Sequence, residues 1–400
     1  VIIFARVREE ITAGKSGRNA IDTGFQKALS AIVDGNVTTL IAALVLGIKG
    51  SGTVKGFAYT LGLGIVLSMF TALFVTRQIL KAFFAVGLKD VKFYGTNKEK
   101  GTVNFLSKKN IFFACSIAVI VLGFVFMGIN GATTGKVLNY SLDFVGGTST
   151  NVTFNEDLAL AEIDTKVVPV FTNITGDGAV QVQKVAGSNE VIFKTRELNL
   201  SEREQLKSAL AEQFGVNDEL ITAATISSTI SSEMKNDAVI AVIIATVCML
   251  IYIWFRFKDI RFAASSVAAL VHDVLVVLAF YAVAKVSVGS TFIACMLTIV
   301  GYSINATIVI FDRIRENLGT MLKKDSLEEL VNRSISQTLS RSIFTSLTTF
   351  IMVAALYVLG VTSIKEFALP LMVGIVCGTY SSVCITGALW YVLRTKIKKA

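Results

Sequence analysis

Two stretches of the chain, Ile111–Ile129 and Ala238–Phe255, contain no charged residue at all. Runs of this length have few ways to fold, because the hydrocarbon core of a bilayer is crossed by roughly 20 apolar helical residues. In lipid every backbone N–H and C=O must find its partner within the protein, so such runs form helices rather than irregular chain. Six further runs have the same character: Leu29–Ile48, Phe57–Thr76, Phe262–Ala284, Thr291–Phe311, Ile343–Leu359 and Phe367–Leu393. Leu29–Ile48 is the weakest of them, since it carries Asp34. Eight complete spans are expected. The opening VIIFARVREE lacks a Met and a basic n-region, so it is no signal peptide. It reads instead as the last turn of a membrane helix that begins upstream of Val1.

Over the whole chain 53% of residues are hydrophobic and 17% charged, which excludes an ordinary soluble enzyme and a disordered chain. The net charge of +9 could point to nucleic acid or to a membrane, and its distribution decides. Of the 38 Lys and Arg, 26 lie in Val1–Ser30, Arg77–Lys109, Arg256–Arg261, Asp312–Arg341 and Arg394–Ala400. The short connections between them carry only Lys49, Lys55, Lys285 and Lys365. Cytoplasmic loops are the basic ones. The basic set therefore faces the cytoplasm, and the long hydrophilic insertion Gly131–Asp237 faces outside. The excess charge reflects insertion into lipid, and no nucleic-acid partner is implied.

That insertion holds 15 acidic and 8 basic residues. Strand patterns occur near Thr148–Phe154, Ala179–Val185, Glu190–Thr195 and Ile221–Ser227, with a helix near Leu158–Phe171 that has Pro169 close to its end. A second helix is expected from Ser201, capped reciprocally by Glu204, to Phe214 before Gly215. This order of split β-α-β units is the ferredoxin-like pattern. It holds no cysteine, histidine, phosphate loop or nucleophile with a base, so a structural or protein-binding module is expected rather than a catalytic one. The expected fold is a polytopic α-helical membrane protein with an inserted α+β ferredoxin-like extracytoplasmic domain. Its divisions are residues 1–84, a basic linker 85–109, a span at 110–130, the inserted domain 131–237 and a five-helix segment 238–400.

The two ends of the chain resemble each other. Adding 310 maps Leu29, Ser30, Thr38, Thr39, Lys55, Phe57, Gly64 and Ile65 onto Leu339, Ser340, Thr348, Thr349, Lys365, Phe367, Gly374 and Ile375. Further upstream an offset of 307 maps Ile3, Phe4, Arg6, Arg8 and Glu9 onto Ile310, Phe311, Arg313, Arg315 and Glu316. Polar matches at one offset mark a duplicated unit, a common construction among transporters.

Ionisable groups within spans are costly and are functional candidates. These are Asp34, the adjacent His272 and Asp273, and Arg341, together with the polar Asn305 in the glycine- and hydroxyl-rich run Gly301–Thr307. Each has a structural alternative: Asp34 as a helix cap, Arg341 as a snorkelling side chain, His272–Asp273 as a helix contact and Asn305 as an interhelical hydrogen-bonding group. Arg313, Arg315 and Glu316 read as an interfacial anchor. Asp312 opens that cluster, and its repeat mate is Ala5. Gly374 and Gly378 have the spacing of a close helix contact. The five cysteines all lie in apolar runs without metal-ligand spacing and read as inert small hydrophobes. Neither metal nor cofactor is expected.

The segments GYSINATIVIFDRIREN (Gly301–Asn317), RSIFTSLTTF (Arg341–Phe350), VHDVL (Val271–Leu275), SLDFVGGT (Ser141–Thr148) and YIWFRFKDIRFA (Tyr252–Ala263) resemble SecF of the bacterial Sec translocon. Val1–Phe25 and Asp34–Leu46 resemble the C-terminal end of SecD, in the order found in fused SecDF proteins of the resistance-nodulation-division superfamily. The resemblance marks Asp143, Gly146, Gly147, Gly301, Tyr302, Asp312, Arg313 and Arg315 as motif residues. It implies a non-enzymatic accessory subunit that promotes protein export driven by the proton motive force. Its implied partners are the SecYEG channel, SecA, a YajC-like subunit and the translocating preprotein. It also implies that the first spans and large outside domain of SecD precede Val1. In many relatives an intramembrane acid follows the asparagine of the GYS motif and works with the arginine that matches Arg341. Here that position is Ala306, which binds no proton, so no acid is expected there. Arg341 is expected to reach Asn305, a helix-end carbonyl or the cytoplasmic interface. The rival readings are a small-molecule or lipid exporter of the same superfamily and a membrane scaffold without ion coupling.

Overall fold

Hydropathy dictates most of what forms. The computed structural model describes residues 2–49, 52–87, 101–178, 180–185, 187–321, 326–360 and 362–396. Among them are eight helices long and apolar enough to cross a membrane: Gly17–Lys49, Lys55–Val86, Leu106–Thr133, Ser228–Phe257, Ile260–Ala284, Ser290–Gly319, Leu327–Leu359 and Ile364–Lys396. A shorter helix, Ile2–Thr12, precedes them. Residues 88–100 of the expected basic linker, Ala179 at the head of an expected strand, and the last four residues lie outside the described residues. The expected weak span is the inner part of a 33-residue helix, so Asp34 sits in mid-helix and caps nothing.

Contacts divide the chain into two compact units. The first comprises Val1–Leu138, Ile240–Val286 and Thr291–Ala400, and contains the spans. Its two sequence repeats are also structural repeats. Each copy contains a wide π-type turn within its last long helix, at Thr71–Val75 and at Ser381–Thr386, again 310 residues apart. Repeat mates touch across the unit: the Phe57 and Phe367 rings meet edge-on with centroids 5.6 Å apart. Close helix crossings are built on small residues, as lipid offers no hydrophobic drive to press helices together. A Cβ on Gly35 would collide with the Asn305 carboxamide, and one on Gly301 would stand 2.8 Å from Thr39 Oγ1. Gly374 and Gly378 take the packing role read from their spacing, lying against Ile299 and Ser303.

The second unit comprises Asn139–Val239 and Ser287–Ser290. Four strands form one antiparallel sheet: β1 (Gly147–Thr153), β2 (Gln181–Lys184), β3 (Glu190–Thr195) and β4 (Ile221–Ile226), in the order β2-β3-β1-β4. That order, with two helices on one face, is the ferredoxin-like arrangement. Alternate residues Val152, Phe154, Val191 and Phe193 turn inward against Phe171, Leu206 and Leu210 of the helices. The Phe171 and Phe193 rings stack with centroids 4.3 Å apart. Two boundaries differ from expectation. The first helix is broken into Leu160–Glu162, a wide turn Ile163–Val167, and Val168–Thr175. Pro169 therefore opens the last piece rather than closing the whole, as a ring without an N–H fits the first turn of a helix. The second helix, Leu200–Phe214, is capped by Asn199 and Glu202 instead of Ser201 and Glu204.

Glu202 is also gripped by Arg196, with Arg196 Nη2 2.5 Å from Oε1. That bond, followed by the Asn199 amide, holds the Glu202 carboxyl below its ordinary range. A depressed carboxyl contributes stability that is complete above the unfolded-chain value and is lost as pH falls through the folded one. Protection factors of the β1 and β3 amides, corrected for the pH dependence of intrinsic exchange and followed by mass spectrometry, should fall as the pH drops below the usual carboxylate range. Glu202→Gln should weaken that acid response.

The glycine pair of SLDFVGGT is structural. Gly146 and Gly147 have φ of 77° and 120°, and a Cβ on Gly147 would run into the Thr195 carbonyl. Asp143 accepts hydrogen bonds from the Ser290 backbone N–H (3.1 Å) and from the Ser290 hydroxyl. It ties the start of the unit to its returning segment Ser287–Ser290.

Candidate functional site

Arginine and glutamate three residues apart share one face of a helix. The chain has two such pairs, Arg6/Glu9 on Ile2–Thr12 and Arg313/Glu316 near the end of Ser290–Gly319, and they are repeat mates. Within each helix Arg6 Nη1 lies 2.7 Å from Glu9 Oε2, and Arg313 Nη1 3.2 Å from Glu316 Oε2. Between helices Arg313 Nη2 lies 2.6 Å from Glu9 Oε1, and Arg6 Nη2 3.3 Å from Glu316 Oε2. The four charges close a reciprocal ring, the arrangement a two-fold relation between the copies requires.

A fifth charge breaks the symmetry. Arg341 is 7% exposed, and its Nη2 lies 3.4 Å from Glu9 Oε1. Its mate at the 310 offset is Ala31. Arg341 thus meets a carboxylate of the first copy, a partner not among those expected from the sequence. A residue 332 positions away is invisible to any local reading. The offset-307 match of Glu9 with Glu316 was the signal that could have nominated it. Arg313 and Glu316 belong to the ring, while Arg315 is exposed.

A second cluster surrounds Asp34. Arg256 Nε lies 2.7 Å from Asp34 Oδ2, Tyr252 donates its hydroxyl proton to Asp34 Oδ1 at 2.7 Å, and Ser30 donates to Oδ2 at 3.2 Å. Arg256 also stands 3.6 Å from Asp312 Oδ1. Two half-buried or buried carboxylates thus face one guanidinium. Tyr252 and Arg256, one turn apart at the end of Ser228–Phe257, were missed because a terminal arginine reads as a loop charge.

The third cluster is the most enclosed. Asp273 is 0% exposed and saturated: Oδ2 accepts from Ser303 (2.5 Å) and Ser381 (2.8 Å), while Oδ1 accepts from Cys377 Sγ (3.2 Å) and lies 2.9 Å from His272 Nδ1. Three helices and a wide turn supply these groups. Cys377 is therefore a hydrogen-bond donor and not merely a small hydrophobe. His272, Asp273 and Cys377 are the one trio of metal-ligating side chains close together among the described residues. Their donors fill the acceptor capacity of the carboxylate, so the arrangement is complete as a hydrogen-bonded network. His272 Nε2 meets no protein partner, and His272 borders an apolar crevice of about 740 Å³ together with Phe112, Val276 and Tyr380.

Tyr302 donates to Ser346 Oγ at 2.9 Å. Asn305, Ala306, Tyr302 and Arg341 line one small cavity with Ser342, Thr345 and Ser346. The structure therefore brings Arg341 and Asn305 together around a shared space, and keeps Asp34 and His272–Asp273 in clusters of their own.

Duplicated spans, an inserted ferredoxin-like unit and ion pairs inside the helical body define a polytopic membrane protein built on a repeated helical unit. The model of the family "Protein export membrane protein SecD/SecF, C-terminal" matches residues 1–85 and 205–396. The chain is 33% identical to the protein translocase subunit SecDF of Bacillus subtilis, over 98% of this chain and 54% of the relative. It is 34% identical to the protein translocase subunit SecF of Acidaminococcus fermentans, over 72% of this chain and 96% of the relative. The crystal structure of SecDF from Thermus thermophilus superposes with a TM-score of 0.84 at 33% identity, covering 99% of this chain and 52% of that one. The chain belongs to the SecD/SecF family. It spans about half the length of the SecDF relatives it matches.

Proposed function

We propose that the chain works as an accessory subunit of the bacterial Sec translocon, promoting the export of preproteins across the cytoplasmic membrane with energy from the proton motive force. The observation that carries this reading is the likeness to translocase subunits over nearly the whole chain, both repeat copies included. In this reading the SecYEG channel, SecA and a YajC-like subunit are its partners. The ferredoxin-like unit lies outside the membrane, where its acidic helices meet emerging polypeptide. The subunit forms no covalent intermediate, and its work is conformational.

Proton binding needs a carboxylate that can lose its cationic partner. Ala306 offers none, and Asp273 is saturated by donors. Asp34 and Asp312 both face Arg256 and compete for its guanidinium, and we assign the exchangeable proton to this pair. Cells depleted of the protein should export signal-peptide-bearing proteins slowly, and the wild-type gene should restore the rate. Asp34→Asn with Asp312→Asn should restore only the part that persists when an uncoupler collapses the proton gradient. Full recovery by the double variant overturns the assignment of the proton. Export that is unchanged on depletion overturns the function itself.

A further inference from the structure

The crevice of about 740 Å³ that His272 borders is walled mainly by Leu106–Thr133, Ile260–Ala284 and Ile364–Lys396. Ile111, Val119 and Val376 stand exposed along it, and Phe112, Val276 and Met372 are half-buried. Its polar side chains are turned to one another or into the helices. Tyr380 donates to the Phe112 carbonyl at 2.9 Å, Ser116 to the Tyr380 hydroxyl at 3.5 Å and the Cys377 thiol to Asp273 at 3.2 Å. Carbon is what faces the space. On the last helix the lining runs from Leu369 to Tyr380, about 16 Å of helix at 1.5 Å per residue. That is roughly half the 30 Å hydrocarbon core of a bilayer, the depth of one leaflet.

One end of the crevice is basic. Lys108 stands four residues before Phe112, and Lys109 lies beside it at the start of Leu106–Thr133. Arg394 and Lys396 close the neighbouring helix Ile364–Lys396. Aromatic rings hold these ends together: Lys109 Nζ lies 5.9 Å from the Tyr391 ring centroid, and the Arg394 guanidinium 5.0 Å from that of Trp390. None of the four cations forms an ion pair among the described residues. They belong to the basic set that marks the cytoplasmic side, where anionic lipids draw Lys and Arg to the membrane surface. A zwitterionic lipid would bring its own cation to this end. A soluble anion would leave the apolar slot unfilled.

We infer that the crevice seats one anionic phospholipid of the cytoplasmic leaflet, an acyl chain lying along Phe112, Val119 and Val376 and the phosphate meeting Lys108 and Lys109. The inference goes beyond the export reading and does not depend on it. The chain fills the slot between helices, and the headgroup charge selects which lipid does so.

The test is native mass spectrometry of the purified full chain, released from micelles doped with equal amounts of phosphatidylglycerol and phosphatidylcholine of the same chain length. The wild type should retain one phosphatidylglycerol in preference to phosphatidylcholine. Lys108→Gln with Lys109→Gln should weaken phosphatidylglycerol retention about twentyfold, at about fivefold per basic side chain. Val376→Trp, which fills the slot and leaves the cations in place, should abolish the preference. Cys115→Phe, at a second exposed position of the lining, should do the same and keeps the test decisive if the tryptophan variant does not fold. Excess glycerol phosphate should not displace the lipid. Equal retention of the two lipids by the wild type overturns the inference. So does an unchanged preference in both filled variants, which would mean a bulk attraction of headgroups to the lysines, and so does displacement by glycerol phosphate.

Discussion

Asp273→Ala is expected to lower the stability of the spanning unit by about 3–5 kcal/mol, since several buried donors lose their shared acceptor at about 1–3 kcal/mol each. The carboxylate is 0% exposed, and its removal takes the acceptor from the Ser303 hydroxyl, the Cys377 thiol and the His272 Nδ1 contact, while Ser381 keeps the Gly378 carbonyl at 3.2 Å. Ser381→Ala removes a single bond of the set and should cost about 1 kcal/mol. Melting midpoints of the two variants in the same micelle measure the ratio. Equal losses in the two would show that these donors do not depend on Asp273.

Glu9→Gln has the second largest expected effect, roughly 2–3 kcal/mol, taken below the fully buried range because the Glu9 side chain is 25% exposed. The substitution leaves Arg6, Arg313 and Arg341 around one remaining carboxylate, Glu316. Guanidiniums that Glu9 had screened then repel one another. Removing Arg341 as well should recover part of the loss. In a double-mutant cycle, Arg341→Gln in the Glu9→Gln background should therefore be less harmful than in the wild type by about 1 kcal/mol. Additive losses would mean that Glu9 does not hold Arg341. Because the ring joins the two copies, slower proton-motive-force-dependent export is expected from Glu9→Gln on the reading proposed above.

The spans, their order and the duplicated unit were legible in the amino-acid sequence for a physical reason. Hydropathy acts on each segment separately, so Ile111–Ile129 and Ala238–Phe255 need no partner to be read as membrane helices. The ferredoxin-like order was legible too, as strand alternation and helix caps are short-range signals. Even there the cap moved from Ser201 to Asn199. Both residues can cap, and the tie of Glu202 to Arg196 lies beyond the local pattern.

The clusters were legible only as fragments. Asp34, His272, Asp273, Arg341 and Asn305 could be nominated because each is a polar group in an apolar run. Their partners could not, since Arg256, Glu9, Ser381 and Cys377 look ordinary where they stand. Electrostatic energy inside a protein depends on which charges are brought within a few ångströms. Glu9 and Arg341 lie 332 residues apart and 3.4 Å from each other. Linear order says which helices a chain of this composition must make and that two sets of them are alike. Packing alone chose which carboxylate each guanidinium would meet, because that distance exists only once the two copies face each other.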